Sequence, residues 1–85
     1  MSDIDIAFCR EMLREAHALV KQAAPSINVR ADAWVYHFMH DHWEFHGPDQ
    51  FWWHGSAANA YDARYKGWMA WLRKHHPAAI GEEVE

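Results

Sequence analysis

A chain of 85 residues with a net charge of −4 has room for one hydrophobic core, so it is read as a single domain over 1–77 with an acidic, flexible tail over 78–85. Such a domain buries only roughly 60–65% of its unfolded surface, and thirteen aromatic residues answer that limit, because each large ring brings about 150–250 Å² into a core. A single cysteine, Cys9, excludes an internal disulfide framework and suits a reducing compartment. No apolar run approaches 18 residues and acids stand where a secretory signal would carry Lys or Arg, so a cytoplasmic protein is expected.

The first expected element is a helix over 4–23. Ser2 is a good N-cap, and Asp3 and Asp5 suit the positive end of a helix dipole. Ile6, Cys9, Met12, Leu13, Ala16, Leu19, Val20 and Ala23 share one arc, while Arg10, Glu11, Arg14, Glu15, Lys21 and Gln22 take the other side. Cys9 falls inside the apolar arc and reads as a core residue, not a nucleophile. Ala24-Pro25 ends the helix.

A second helix is expected over 29–42, because Ala31, Trp34, Val35, Phe38, Met39 and His42 follow helical spacing. The rival is a strand over 34–39, where Trp34, Tyr36 and Phe38 also alternate; the length of the run and its single β-branched residue favour helix. Next comes a β-hairpin over 43–54. Gly47-Pro48-Asp49-Gln50 has turn chemistry, and pairing Phe45 with Phe51 turns Trp43, Phe45, Phe51 and Trp53 inward and Glu44, His46, Trp52 and His54 outward.

The last helix is expected to start at a Gly55-Ser56 break, with Ser56 as cap, and to stop at Pro77. Ala57, Ala60, Tyr61, Tyr65, Trp68, Trp71 and Leu72 form its apolar face. Gly67, which costs about 1 kcal/mol relative to Ala in a helix, is read as admitting a bulky neighbour. The fold class is therefore α+β: helix–helix–β-hairpin–helix around an aromatic core.

Charge is unevenly distributed. Residues 31–63 hold five acids, five histidines and no Lys or Arg, whereas 64–76 hold Arg64, Lys66, Arg73 and Lys74 and no acid. The broad basic field that nucleic-acid binding needs is missing. Protonating the histidines weakens the acidic field as pH falls towards about 6.

Arg64 projects from the apolar face of the last helix, and an isolated buried charge costs several kcal/mol. It is read either as paired with Glu44 or Asp41, or stacked on an indole, or as open to an anionic ligand. On a helix over 29–42, His37, His40 and Asp41 would lie at i, i+3 and i+4, a spacing able to present three ligands to a metal. No phosphate loop, nucleophile elbow or Cys-x-x-Cys is present, and no cofactor is expected.

The outward residues Trp52, Glu44, His46 and His54, with Asp49 and Arg64, form the candidate contact surface. A large exposed indole ringed by polar groups resembles a protein-binding hot spot. The functional expectation is a small acidic, non-enzymatic binding module, an inhibitor or adaptor, engaging a protein partner with a basic surface and neither nucleic acid directly nor membrane. In size and charge alone it is similar to the small acidic inhibitors of bacteriophages and other mobile elements, anti-CRISPR proteins among them. A metal-binding protein using His37, His40 and Asp41, and a homodimer burying the exposed indole, are the alternatives.

Overall fold

A computed structural model describes residues 6–81. Helix α1 (Ile6–Ala23) is followed by three strands, β1 (Trp34–Met39), β2 (His42–His46) and β3 (Trp52–Ser56), and by helix α2 (Ala60–His75). A 3-10 turn, Pro77–Ile80, ends the described chain. The expected cap and acids at Ser2, Asp3 and Asp5 and the tail at 82–85 lie outside the described residues.

The α+β class and the aromatic core are as the sequence predicts, but the expected second helix is not formed. Residues 34–39 are β1, paired antiparallel with β2 from Trp34↔His46 to Met39↔His42. Both periodicities are written in this segment, and long-range pairing decides between them. The β2–β3 hairpin offers β1 an open edge, and the chain reverses within two residues at His40-Asp41, with His40 in the left-handed region at φ 52°. The sheet is a meander in the order β1-β2-β3.

The β2–β3 hairpin keeps its expected faces but not its expected pairs. Phe45 lies opposite Trp53 and His46 opposite Trp52, two residues away from the Phe45–Phe51 pairing. A slip of two preserves the side of every side chain. The tight turn explains it: Phe51 N–H donates to Pro48 O at 3.2 Å, and Asp49 and Gln50 both have positive φ, as a type I′ turn requires. Gly47 N–H then donates to Phe51 O at 2.8 Å, so Phe51 belongs to the loop.

Helix α2 begins later than expected, because Gly55 and Ser56 are the last residues of β3. Asn59 is its N-cap: Asn59 Oδ1 accepts from Asp62 N–H at 2.9 Å, and Asp62 Oδ2 accepts from Ala58 N–H at 2.9 Å. Both helices bury one stripe: Cys9, Leu13, Ala16 and Val20 from α1, and Ala63, Gly67, Trp68, Trp71 and Leu72 from α2. Helix α2 spans the inner face of all three strands, and α1 packs chiefly on α2. Phe45 is the fully buried strand residue of this core, with Val29 and Ala33 closing it beside α1. Residues 78–80, expected to belong to the tail, are folded onto the domain: Ala79 and Ile80 pack against the core. Among the described residues no helix is long and apolar enough to cross a membrane.

Candidate functional site

With both helices on one side, the other side of the sheet is open. Alternation along the strands brings Trp34, Tyr36, His42, Glu44, His46, Trp52, His54 and Ser56 to that outer face. Where β1 shifts register between His37 and Met39, Phe38 joins them, its ring 6.4 Å from Tyr36 and 5.7 Å from His42. Four large aromatics there are more than half exposed: Trp34, Tyr36 and Phe38 at 56% and Trp52 at 55%. Four such rings on one face go beyond the singly scattered apolar residues of an ordinary surface.

The rings are ordered in rows across the strands. The His46 imidazole lies between two indoles, 5.0 Å and 3° from Trp34 and 5.8 Å and 5° from Trp52. The next row is Tyr36, Glu44 and His54, and the third carries His42 beside Ser56. His54 contacts both Trp52 and His42. Glu44, the one fixed charge within the rows, reaches His46 Nε2 at 3.2 Å.

Acids also stand at both ends of the platform. Asp49 is exposed in the β2–β3 turn, next to the indole row. Asp41 is exposed in the β1–β2 turn, where its Oδ2 accepts from the Ser56 hydroxyl at 2.5 Å and its carbonyl accepts from Ala57 N–H at 2.9 Å. The Ser56 hydrogen bond, and then Asp41's own backbone N–H, hold its carboxyl below the ordinary 3.8. From His42 to His46 the platform runs roughly 13 Å. No Lys or Arg lies between Trp34 and Ser56.

Of the residues predicted for contact, Trp52, Glu44, His46 and His54 meet on this face and Asp49 borders it. Arg64 does not join them. It faces away from Glu44 and Asp41, with Nη1 donating to Ala33 O at 3.4 Å between α2 and the start of β1. Burial, and then the neighbouring Arg30 guanidinium, pull its pKa below the ordinary arginine value. The expected metal trio is dispersed because its helix does not exist. His37 turns inward and stacks on Trp43 at 4.4 Å, its Nε2 2.6 Å from His40 O, while Asp41 is held by Ser56. Among the described residues no three His, Cys, Asp or Glu side chains gather as metal ligands.

Trp34, Tyr36 and Phe38 are the surface residues that the sequence reading missed. Their alternation was the available signal, and assignment to a helix hid it. Fold and face together define an α+β domain with a two-helix layer and an open aromatic, acidic antiparallel sheet. Compared with protein-family models, curated proteins and solved structures, the chain matches none.

Proposed function

We propose that the protein is a small non-enzymatic binding module, an inhibitor or adaptor, that docks a basic protein partner on the outer face of its sheet. The observation that carries this reading is the four exposed aromatics of that face, set around Glu44 and bordered by Asp41 and Asp49, with no Lys or Arg in residues 34–56; Lys66 of α2 meets only its edge, donating to Ser56 O at 2.9 Å and pairing with Asp62. Lysine and arginine side chains of a partner would lie on the indole and phenol faces and pair with Glu44, a combination worth more as water is excluded. A stacking platform for nucleic-acid bases needs a basic groove to follow the phosphates, and this face has the opposite charge. Masking a basic, nucleic-acid-binding surface of another protein is the form of inhibition that such chemistry suits. The buried free Cys9 fits a reducing, cytoplasmic setting for that partner.

The test is affinity capture on nuclease-treated extract with the parent, the Trp34→Ala/Trp52→Ala double variant and Glu44→Gln, followed by titration of the purified partner. Support requires a basic partner lost by the double variant, weakened by Glu44→Gln and released by salt. A partner held equally by all three proteins rejects the reading. A concentration-dependent dimer abolished by Trp52→Ala would replace it with self-association.

A further inference from the structure

A second site lies away from the sheet's outer face, lined by residues that none of the strands supplies. Arg10, Arg14 and His17 stand on one stripe of α1 at spacings of four and three. Tyr61 and Arg64 face them from α2, and Arg30 enters from the connection before β1. That connection is fixed by Asn28, whose Oδ1 accepts from the N–H groups of Arg30 and Ala31 at 3.0 Å, and by Asp32, whose Oδ2 accepts from Asn28 N–H at 2.9 Å. The cleft between these elements is open to solvent, with Arg10, Arg14 and Arg30 exposed, and has two lobes of about 250 Å³ each, sharing Leu13, His17, Arg30 and Tyr61; one water of the liquid takes about 30 Å³.

We propose that this cleft binds a phosphate-class dianion, free or as a phosphomonoester, through Arg10, Arg14, Arg30, Arg64 and His17. No carboxylate is among its described lining residues, and the cations there are under-used. Arg64 has one long hydrogen bond, to Ala33 O at 3.4 Å. Arg10 lies over the Tyr61 ring at 5.7 Å, and Arg14 makes an exposed pair with Glu11 one turn away. The Arg30 guanidinium has no partner among the described residues, and His17 Nε2 is buried without a hydrogen-bond partner.

Gathering like charges destabilises a fold unless something neutralises them. Guanidinium forks approaching from α1, from α2 and from the connecting loop suit a tetrahedral anion with oxygens on several sides, whereas a carboxylate offers two oxygens whose lone pairs lie in one plane.

The test is titration of the whole chain with inorganic phosphate and with phenyl phosphate, followed by amide chemical shifts, against chloride and acetate at equal ionic strength. Saturable shifts are expected at His17, Arg30 and Arg64 and not at Trp34 or Trp52. Arg30→Gln and Arg64→Gln should each weaken binding about ten- to hundredfold, the range for hydrogen bonds to charged groups. Tighter binding of phenyl phosphate identifies a phosphomonoester as the ligand, and equal binding identifies free phosphate. The proposal fails if no saturable response appears up to about 10 mM, if acetate binds equally, or if Arg30→Gln binds like the parent. Arg30→Gln keeps the test decisive should Arg64→Gln not fold, because the Arg30 side chain is exposed and makes no hydrogen bond or ion pair among the described residues.

Discussion

Gly67 of α2 lies directly beneath the ring of Phe45 on β2, so close that a Cβ at position 67 would stand inside the phenyl ring's van der Waals envelope. The contact seats the sheet on the helix, with Phe45 and Trp68 packed edge to face at 5.2 Å. The bulky neighbour expected at Gly67 is this phenyl ring. Replacing Gly67 by Ala gains about 1 kcal/mol of helix propensity, yet the added methyl must displace a fully buried ring. Overpacking of this kind costs about 1–3 kcal/mol or more. Gly67→Ala should therefore be less stable than the parent in urea denaturation, and Phe45→Leu should recover part of the loss in the double variant. Equal or greater stability of Gly67→Ala would show that the helix shifts freely on the sheet.

The β2–β3 turn places a glutamine where glycine is the natural residue. Asp49 has φ 58° and Gln50 φ 64°, so both central positions are left-handed. That conformation costs a residue with a Cβ about 1–2 kcal/mol, and glycine adds about 0.5–1 kcal/mol of unfolded-state entropy in return. Gln50→Gly should raise stability by about 0.5–1 kcal/mol without altering the His46↔Trp52 register. An unchanged or lower urea midpoint would contradict this.

The elements that could be read from the chain are those with one dominant signal. Helix α1 has a single apolar arc and a proline stop, and α2 has its stop at Pro77. The alternation around the turn gave the correct faces of β2 and β3. What stayed hidden depended on contacts between distant residues. The segment 34–39 carries both periods, and only the edge of β2 selects the strand. Ser56 and Asn59 are both competent caps, and the pairing of Ser56 with His42 leaves Asn59 as the cap. The position of Arg64 on its helix was legible; its neighbours Arg30 and His17 come from elements whose packing no local pattern states. The candidate face was accordingly half visible, with β2 and β3 legible and β1 not.

Asp41 links the β1–β2 turn to the end of β3 through the Ser56 hydroxyl. Its folded-state pKa is lowered, so the stability it contributes is present above the ordinary 3.8 and is lost as pH falls through the lowered value. Carbon-detected titration should find the Asp41 carboxyl below 3.8 in the parent and nearer to it in Ser56→Ala. A parent value at or above 3.8, or no response to Ser56→Ala, would show that the hydroxyl is not its anchor.

Surface and core aromatics should separate cleanly in stability. Trp68 is fully buried and Trp52 is more than half exposed. Trp68→Ala should cost about 3–5 kcal/mol, whereas Trp34→Ala removes mainly its stack on His46, and Trp52→Ala its contacts with His46 and His54, about 0.5–1.5 kcal/mol per contact. Urea denaturation of the three variants checks this. Loss of the fold in Trp52→Ala would make its indole a structural element and deprive the binding experiment of its control.

His17 should make the protein acid-sensitive as Asp41 does, but from the opposite cause: Asp41's charged form is held by a hydrogen bond, whereas the charged form of His17 is penalised by its surroundings. Burial, followed by the charges of Arg30, Arg64 and Lys21, lowers its pKa from the ordinary 6.5. Arg10 and Arg14 from α1 and Tyr61 from α2 also line its cleft, and none of these groups favours a protonated imidazole. The folded state therefore binds this proton more weakly than the unfolded chain does. Stability is lost as pH falls through 6.5, and the loss is complete below the folded-state value. His17→Gln removes that proton while keeping a polar side chain, so the variant should gain on the parent between about pH 8 and pH 5. Contributions from the other histidines are common to both proteins and cancel in the difference. A parent–variant gap that is the same at both ends of the range would show that His17 is not under this strain; saturating phosphate, by neutralising the surrounding guanidinium groups, should narrow the gap at the acid end.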